Sequence, residues 1–494
     1  MQAVQDERRV VVIGSGPTGA MAASVLVQRG IPVTLLESGV RPPEGVLVRA
    51  LGRNLWRRVP PLGQGPFDSP SDPRPEWHVH LGPGGLSCQW TGAVPRFAPD
   101  DFTEGERLHE RYRWPVTYEE LVPWYEAAER VMSVTGPPRD VPGLPAGRFA
   151  WTHALPGDWQ PLVRTAEARG QGFAALPLAD GPPWLLARRG TAFNSFTGLV
   201  RPLLRSPLFR LLTGAHALRL EWDGAVRQAA AVVYQSRLDG SQHRLEAAAF
   251  VVAAGPLWST KLLFDSACPD FPRGLGDSRG LLGTHLHDHP KEWWGLDLDR
   301  PLSLLAPAAY LTRIPCGESA PLLSTSWTLG VTNVRDRVRS RFGLKGTAVG
   351  VQVFGTMIPS DAHFVRPSST VKDEFGLPGL EICIRFDEAV LSNVVRARGH
   401  LMCLLEEAGI RCRLRPVEPQ LRPGNAVHYG GTVRMHADPR YGLLNAWNRM
   451  HEVPNVAVCD ASSFTTGCEK NPTLTAMALA ARAADRLAAD LKAV

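Results

Sequence analysis

The first forty residues combine a short apolar run, a glycine-rich turn and a mixed segment. Residues 10–13 (VVVI) are continuously apolar, as in a strand that is buried on both faces of a parallel sheet. The turn GSGPTG at residues 14–19 follows, and the next residues, AMAASVLVQRG, predict a helix that ends at Gly30. IPVTLLE then predicts a second strand, which ends at Glu37. The order strand, glycine turn, helix, strand is typical of a dinucleotide-binding unit.

Similar patterns predict further elements along the chain. Residues 117–134 favour a helix, residues 209–236 alternate as strands, and AAFVVAAGP at 248–256 indicates another buried strand that ends in glycine. Near the C-terminus, residues 455–460 predict a strand and residues 471–491 a long helix. The apolar positions of that helix are expected to share one face: Leu474, Met477, Ala478, Ala481, Ala484 and Leu487.

Residues from about 291 to 425 have a different character. Two strand-like stretches, GTAVGVQVFGTM at 346–357 and LEICIRF at 380–386, lie in the same region as a predicted helix at 387–408. This pattern indicates a second domain that is inserted into the first. The proline- and glycine-rich stretch 42–83 has weak periodicity and is expected to be a long connection.

Composition narrows the class of protein. A chain of 494 residues should form two domains or one large composite of them, and 44% hydrophobic with 21% charged residues is typical of a globular protein. The net charge of +6 comes without a basic run, so nucleic-acid binding has little support. Eight scattered cysteines without a Cys-x-x-Cys pair argue against zinc and a disulfide framework. Because the pattern predicts neither a signal peptide nor a membrane span, we expect a cytoplasmic protein.

The turn at residues 14–19 carries a G-x-G-x-x-G motif made of Gly14, Gly16 and Gly19. Glu37 follows 18 residues after the last glycine, near the spacing at which an acidic residue binds a ribose hydroxyl. The glycines let backbone N–H groups approach a pyrophosphate, and the start of the helix favours its negative charge. The alternative is a tight strand–helix turn without a ligand, and the motif itself does not separate FAD from NAD.

Five ordered segments together resemble the glucose-methanol-choline (GMC) family of FAD-dependent oxidoreductases. They are residues 82–102 (GPGGLSCQWTGAVPRFAPDDF), 251–267, 280–290, 372–382 and 428–485. Within the family, the first segment looks most like pyranose oxidases and related bacterial glycoside oxidases. The resemblance extends nearly from end to end, although residues 291–425 match only in patches. It implies FAD as the cofactor.

The resemblance also implies site residues. His428 takes the place of the active-site histidine of the family, and Asn471 takes that of its partner. Oxidising an alcohol moves a hydride to flavin N5, and a positioned base must remove the hydroxyl proton because an alcohol is a very weak acid. The implied cofactor-binding residues, besides Gly14, Gly16, Gly19 and Glu37, are Gly85, Ser87, Gln89, Trp90, Thr91, Ala217, Asp460, Pro472 and Thr473.

Gln89 departs from the pattern of the fungal pyranose oxidases. Those enzymes carry a histidine at this position, to which the flavin is covalently attached. A glutamine amide is not a nucleophile, so we expect noncovalent FAD. The adjacent Cys88 is the alternative attachment point, although neighbouring residues of an extended segment point in opposite directions.

Three alternatives stay open from the sequence. His428 precedes two glycines and could be a turn residue without a catalytic role. Asn471 precedes Pro472 at the start of a predicted helix, which is the pattern of an N-cap followed by proline at the first helical position. The histidines of THLHDHP (284–290) have the spacing of metal ligands on a strand, but no further ligand cluster supports them, and we expect no metal site.

The fold and function follow from these observations together. We expect an α/β protein with a Rossmann-like FAD-binding domain formed by residues 1–290 and 426–494. An α+β substrate-binding domain, residues 291–425, is built on an antiparallel sheet, and part of 140–195 is a candidate addition to it. The expected reaction is oxidation of a secondary hydroxyl, at C2 or C3, of a sugar or glycoside. O2 or another acceptor reoxidises the flavin, and nucleic acid and membranes are not expected partners.

Other reactions remain open within the same resemblance. One is oxidation of a primary alcohol, such as the CH2OH group of an amino sugar. Another is a lyase on the same fold that does no redox chemistry. A flavin-binding scaffold without activity is a third, and the His428–Asn471 pair argues against it.

Overall fold

The computed structural model describes residues 8–40, 63–70, 77–179, 193–299, 308–315, 323–330, 348–416 and 421–493. Much of the predicted connection 42–83 therefore lies outside the described residues. The described helices are Pro17–Gln28, Pro99–Thr103, Tyr118–Met132, Gln160–Ala168, Arg201–Leu203, Pro256–Asp265, Glu388–Glu407 and Thr473–Ala493. None of these is both long enough and apolar enough to cross a membrane.

A parallel sheet of five strands forms the centre of the first domain. Its neighbouring strands pair in parallel throughout, and two of them, Val10–Ile13 and Val33–Glu37, are buried along their whole length. This confirms the buried strands that the apolar runs predict. The strand order across the sheet is Val456–Val458, Ala249–Val252, Val10–Ile13, Val33–Glu37 and Phe209–Thr213.

The glycine turn after the first strand is sterically required. Gly14 has φ +101°, a conformation that favours glycine, and a Cβ there would lie 2.4 Å from the carbonyl oxygen of Ala253. A Cβ at Gly19 would lie 2.1 Å from the carbonyl oxygen of Gly14. These two glycines therefore let the helix Pro17–Gln28 start directly beside the sheet.

A six-stranded antiparallel sheet forms the centre of the second region, and the helix Glu388–Glu407 packs against it. The strand order is Cys412–Pro416, Lys291–Leu298, Ala348–Gly355, Ser324–Gly330, Ala309–Pro315 and Phe173–Ala175. Five of the strands lie within the predicted insertion. The edge strand comes from 140–195, which supports our proposal that part of this segment joins residues 291–425 while residues 1–290 and 426–494 form the other domain.

Two smaller sheets have three described strands each. One is an antiparallel hairpin sheet of Ala215–Asp223, Gln228–Ser236 and Gln242–Glu246. In the other, Pro378–Cys383 pairs antiparallel with Phe364–Lys372 and parallel with Phe67–Asp68. The remaining short strands are Gly63–Gln64 with His78–Val79 and Thr135–Gly136 with Trp151–Thr152.

The final helix, Thr473–Ala493, is buried more widely than its predicted single face. Positions between the predicted ones, such as Thr475, Leu479 and Arg482, are buried as well. The reason is that the helix packs against both Pro17–Gln28 and Tyr118–Met132. Its many alanines permit this close approach, so the one-face prediction is too narrow.

Candidate active site

A cavity of about 400 Å³ extends from the glycine turn of the parallel sheet to one face of the antiparallel sheet. Of the predicted site residues, Gly19 lies behind the turn rather than along the cavity wall. The others line the cavity: Gly14, Gly16, Glu37, Gly85, Ser87, Gln89, Trp90, Thr91, Ala217, His428, Asp460, Asn471, Pro472 and Thr473. Residues from five distant parts of the sequence thus meet in one space.

The glycine-turn end of the cavity has the features that a dinucleotide requires. Among the described residues, no atom lies within 4 Å of a Cβ built on Gly16, and no side chain caps the helix that begins at Pro17. The N–H groups of that first turn are thus available to an anionic group. Trp258, which also lines the cavity, has a buried Nε1 without a hydrogen-bond partner among the described residues. These observations fit the diphosphate and adjoining polar parts of FAD.

Glu37 lies at the end of its strand and lines the same end of the cavity. Its carboxylate accepts hydrogen bonds from the backbone N–H of Gly39 at 2.7 Å and from that of Ser15 at 3.1 Å. Burial raises the pKa of Glu37, and these hydrogen bonds oppose the shift. The side chain is therefore fixed in place, with oxygen lone pairs left for a ribose hydroxyl.

His428 and Asn471 meet at the other end of the cavity. Asn471 Nδ2 lies 3.1 Å from His428 Nε2, and the other ring nitrogen, Nδ1, lies 2.9 Å from Nδ1 of His289. The backbone N–H groups of His428 and Gly424 donate to the two carboxylate oxygens of Asp288, at 3.0 and 2.9 Å. The histidine is thereby held at both its ring and its backbone.

Burial gives His428 the charge state of a base. It lowers the pKa of His428 well below the usual value, and the neighbouring His289 and Lys291 lower it further. The imidazole is therefore neutral at pH 7 and has a lone pair that can accept a proton.

Asn471 does not occupy the predicted capping position. The final helix begins at Thr473, and the Pro472 carbonyl accepts the first helical hydrogen bond from Ala476 N at 3.0 Å. Asn471 therefore lies one residue before the cap, and its amide contacts His428 instead. The capping prediction, with proline at the first helical position, was wrong by one residue.

The antiparallel sheet contributes four side chains to the cavity wall beside His428. Lys291 lies opposite Phe354, and Trp293 lies opposite Gln352, on the adjacent strands. The Nζ of Lys291 is 5.0 Å from the Trp293 ring centroid and 5.7 Å from that of Phe354. The Phe354 ring lies 5.4 Å from the His428 ring. This face therefore combines aromatic surface, an amide and a cation next to the candidate base.

The histidines of THLHDHP do not converge on one point. His285 Nδ1 contacts Thr284 Oγ1, His287 Nδ1 contacts the His285 carbonyl oxygen, and His289 contacts His428. A different group, Asp101, Cys468 and Glu469, has the spacing of metal ligands. Both of its carboxylates are already paired with the ammonium group of the buried Lys470, at 2.8 and 2.6 Å.

The sequence did not identify several residues of this site. In the sequence, Asp288 and His289 belong to the THLHDHP stretch and to segment 280–290 of the GMC resemblance, and neither pattern predicts a contact with His428. His80 lines the cavity and its Nδ1 lies 3.3 Å from Gln89 Nε2. No local pattern distinguishes His80 or Lys291, because only the tertiary packing of segments far apart in the chain brings them to the cavity.

Lowering the pH from 7 to 5 is expected to destabilise the fold. Burial lowers the pKa of His289 to about 4, of His287 to about 3 and of His285 to about 2. Below about pH 6.5 the unfolded chain binds protons there that the folded chain does not. The unfolding free energy then falls by up to about 1.4 kcal/mol per pH unit for each histidine. Asp288 and Asp265 oppose this, because burial raises their pKa to about 6.

Thermal unfolding midpoints at pH 7, 6 and 5 measure this effect. Buried histidines with a lowered pKa, which also include His216 and His428, outnumber the buried carboxyl groups with a raised pKa, so the midpoint should decrease with each step. A midpoint that stays constant or rises toward pH 5 would contradict it.

Comparison with known proteins identifies the family. The profile of the GMC oxidoreductase family matches residues 411–480, and that of an FAD binding domain matches residues 7–54. The chain is 31% identical over 517 residues to 6'''-hydroxyparomomycin C oxidase of Streptomyces lividus, covering 98% of this chain and 92% of that protein. It is 25% identical over 540 residues to the C-glycoside 3-oxidase of Arthrobacter globiformis, covering 98% and 95%.

A solved structure shares the fold of this chain. Formate oxidase of Aspergillus oryzae superposes with a TM-score of 0.67 at 16% identity, over 99% of this chain and all of that one. At that identity the likeness concerns the fold alone, a Rossmann-like domain combined with an antiparallel sheet. Together with the 31% identical relative, these findings confirm the resemblance of the five sequence segments. The chain belongs to the GMC oxidoreductase family and is an FAD-dependent enzyme that oxidises alcohol groups.

Proposed function

We propose that the protein oxidises a secondary hydroxyl, at C2 or C3, of a neutral sugar or glycoside to a ketone. The observation that carries the proposal is the His428–Asn471 pair, which lies in the cavity beside the aromatic and amide face of the antiparallel sheet. The C-glycoside 3-oxidase among the relatives acts on a glycoside, in agreement with this substrate class.

FAD, when bound, accepts the two electrons that leave the alcohol. The work of the chain is to hold the substrate and to take its hydroxyl proton. His428 Nε2 faces the cavity and receives that proton, since the ring is neutral at pH 7. The amide of Asn471 orients the substrate oxygen next to it. We propose that Thr473 and Pro472, at the start of the final helix, contact the flavin ring, where the helix N-terminus favours negative charge.

The sheet face gives a reason for the substrate class. The Trp293 ring offers an apolar surface for the C–H face of a sugar, and the Gln352 amide can both donate to and accept from hydroxyl groups. Lys291 places a positive charge within the same wall. A cationic amino sugar would be repelled there, so the amino-sugar alternative is the less favoured one.

An anaerobic screen of sugars and methyl glycosides tests the function. Flavin bleaching on mixing, followed by recolouring on admission of air, is the expected result if O2 is the acceptor. A 6-deoxy sugar lacks the primary CH2OH, and it should still bleach the flavin. If the parent sugar reacts and its 6-deoxy analogue does not, the primary-alcohol alternative is correct. Product formed without any bleaching would instead identify a lyase.

Lys291→Gln is expected to change substrate preference. The wild-type enzyme should prefer a neutral glycoside over its amino analogue, and removing the charge should reduce that ratio of kcat/KM about tenfold, because like charges a few ångströms apart repel strongly. The measurement is the pair of kcat/KM values for matched neutral and amino sugars. An unchanged ratio would show that Lys291 does not face the substrate.

We also propose that FAD is bound without a covalent bond. Gln89 lines the cavity, whereas the Cys88 thiol contacts the Pro83 carbonyl and accepts from Asn194 Nδ2 at 3.0 Å. Cys88 is therefore engaged with the surrounding loop. His80 is a further imidazole on the cavity wall, and its Nδ1 is already close to the Gln89 amide.

Acid precipitation decides how the flavin is held. Purified protein should be yellow, and the supernatant after precipitation should contain all of the FAD. A yellow pellet would contradict the proposal, and peptide masses would then identify the attached residue as Cys88 or His80. The variants His80→Ala and Cys88→Ala should release the same share of their FAD as the wild-type protein.

A further inference from the structure

The contact between the rings of His289 and His428 has a definite polarity. His289 Nδ1 lies 2.9 Å from His428 Nδ1, and the two rings meet edge to face with centroids 4.8 Å apart. Asn471 Nδ2, which can only donate, lies 3.1 Å from His428 Nε2 and makes that nitrogen an acceptor. The backbone of Cys468 favours the protonated ring of His289. A backbone group that favours a protonated imidazole is a carbonyl, because a carbonyl oxygen accepts a hydrogen bond from the ring N–H.

The donor and acceptor roles of both rings follow from these contacts. A neutral imidazole has a single N–H group. In His289 this group donates to the Cys468 carbonyl, so Nδ1 is left as an acceptor. His428 then donates from Nδ1, and its unprotonated Nε2 accepts from Asn471 when no substrate is bound. The Asn471 Nδ2 group, a donor, lies 3.1 Å from that Nε2, as this assignment requires.

We propose that His289 fixes the tautomer of His428, so that the lone pair on Nε2 faces the cavity. His289 is thereby a positioning residue, since it acts through His428 without lining the cavity wall. The catalytic value of this tautomer rests on the proposed function, because only a base needs the lone pair on Nε2. The opposite tautomer would present N–H to the substrate hydroxyl and could not take its proton.

The surroundings keep both rings neutral, which the arrangement requires. Burial lowers the pKa of His289 to about 4, with the ammonium of Lys291 adding to the shift and Glu469 opposing it. Burial also lowers the pKa of His428. Asp288, the residue before His289, accepts a hydrogen bond from the backbone N–H of His428. This bond helps to keep the two rings in contact. Near pH 7 both rings are therefore neutral, and His428 Nδ1 can donate to His289 Nδ1.

Nitrogen-15 NMR of the histidine rings in the FAD-loaded protein tests the tautomer directly. The His428 signals are identified by their loss in His428→Gln. We expect protonated Nδ1 and unprotonated Nε2 at pH 7 without substrate. An Nε2–H tautomer in the wild-type protein would overturn the proposal, whatever the enzyme oxidises.

Two exchanges at the same position separate tautomer control from packing. His289→Asn keeps an acceptor oxygen near the place of Nδ1, so it should keep the His428 tautomer and most of the flavin-reduction rate. His289→Phe fills the space without an acceptor, and the rate should fall about 10- to 100-fold with KM little changed. If the phenylalanine variant does not fold, the asparagine variant decides. Loss of the Nδ1–H tautomer in His289→Asn would contradict the proposal.

A matched control comes from the same segment. His285 lies four residues before His289 and is also buried. Its positive φ of 62° suits asparagine. His285→Asn should leave the His428 ring signals and the reduction rate unchanged. A protein that has the expected tautomer but oxidises no sugar would refute the proposed function and leave this inference intact.

Discussion

Replacing His428 with alanine is expected to slow flavin reduction by substrate at least 10²-fold. The imidazole is the group at the cavity end that can accept the hydroxyl proton at neutral pH, and losing a general base has this scale of effect. Rapid mixing with substrate in the absence of oxygen measures the reduction rate separately from reoxidation. FAD content should stay near one per chain, because the cofactor is held mainly at the distant glycine turn.

Two further variants interpret that result. His243→Ala removes an exposed histidine of the hairpin sheet and should leave the rate unchanged. Asn471→Ala should lower the rate less than the His428 exchange and should not reduce stability through a lost cap, since Asn471 lies before the cap position. A wild-type reduction rate in His428→Ala would mean that this residue is only a turn residue.

Exchanging Lys470 for methionine is expected to destabilise the fold by about 3–5 kcal/mol, since it would leave two buried carboxylates without their cation. The ammonium group is fully buried between Asp101 and Glu469, at 2.8 and 2.6 Å. Glu469 also accepts from Ser324 Oγ at 2.9 Å, so the cluster joins the antiparallel sheet to the residue before Asn471. Denaturant unfolding of the FAD-loaded protein measures the loss.

An exposed ion pair provides the comparison for this experiment. Arg486 pairs with Asp490 at 3.0 Å with half of its side chain exposed, and Arg486→Met should cost no more than about 1 kcal/mol. Adding Asp101→Asn to Lys470→Met removes one unpaired charge and should recover part of the stability. A loss for Lys470→Met as small as that of the surface variant would contradict the argument.

The local elements of the fold could be predicted because their signals are local. The apolar run at 10–13, the glycines at 14–19 and the helix at 117–134 each depend on contacts within a few residues or on burial on both faces of a sheet. The observed strands Val10–Ile13 and the helix Tyr118–Met132 agree with them. The family could be identified for a related reason, since its five segments keep their order along the chain.

What the sequence determined by itself was therefore the Rossmann-like unit, the family and the pair of candidate residues His428 and Asn471. Only the tertiary structure decided that His289, 139 residues earlier in the chain, touches the ring of His428, and that Lys291 faces the same cavity. The physical reason is that tertiary packing places residues 287–291 beside residues 428–430, where His287 pairs with Gly430. The hydrogen bonds between these residues depend on distances of a few ångströms between segments that are far apart in the chain. Such contacts produce no periodic pattern in the sequence.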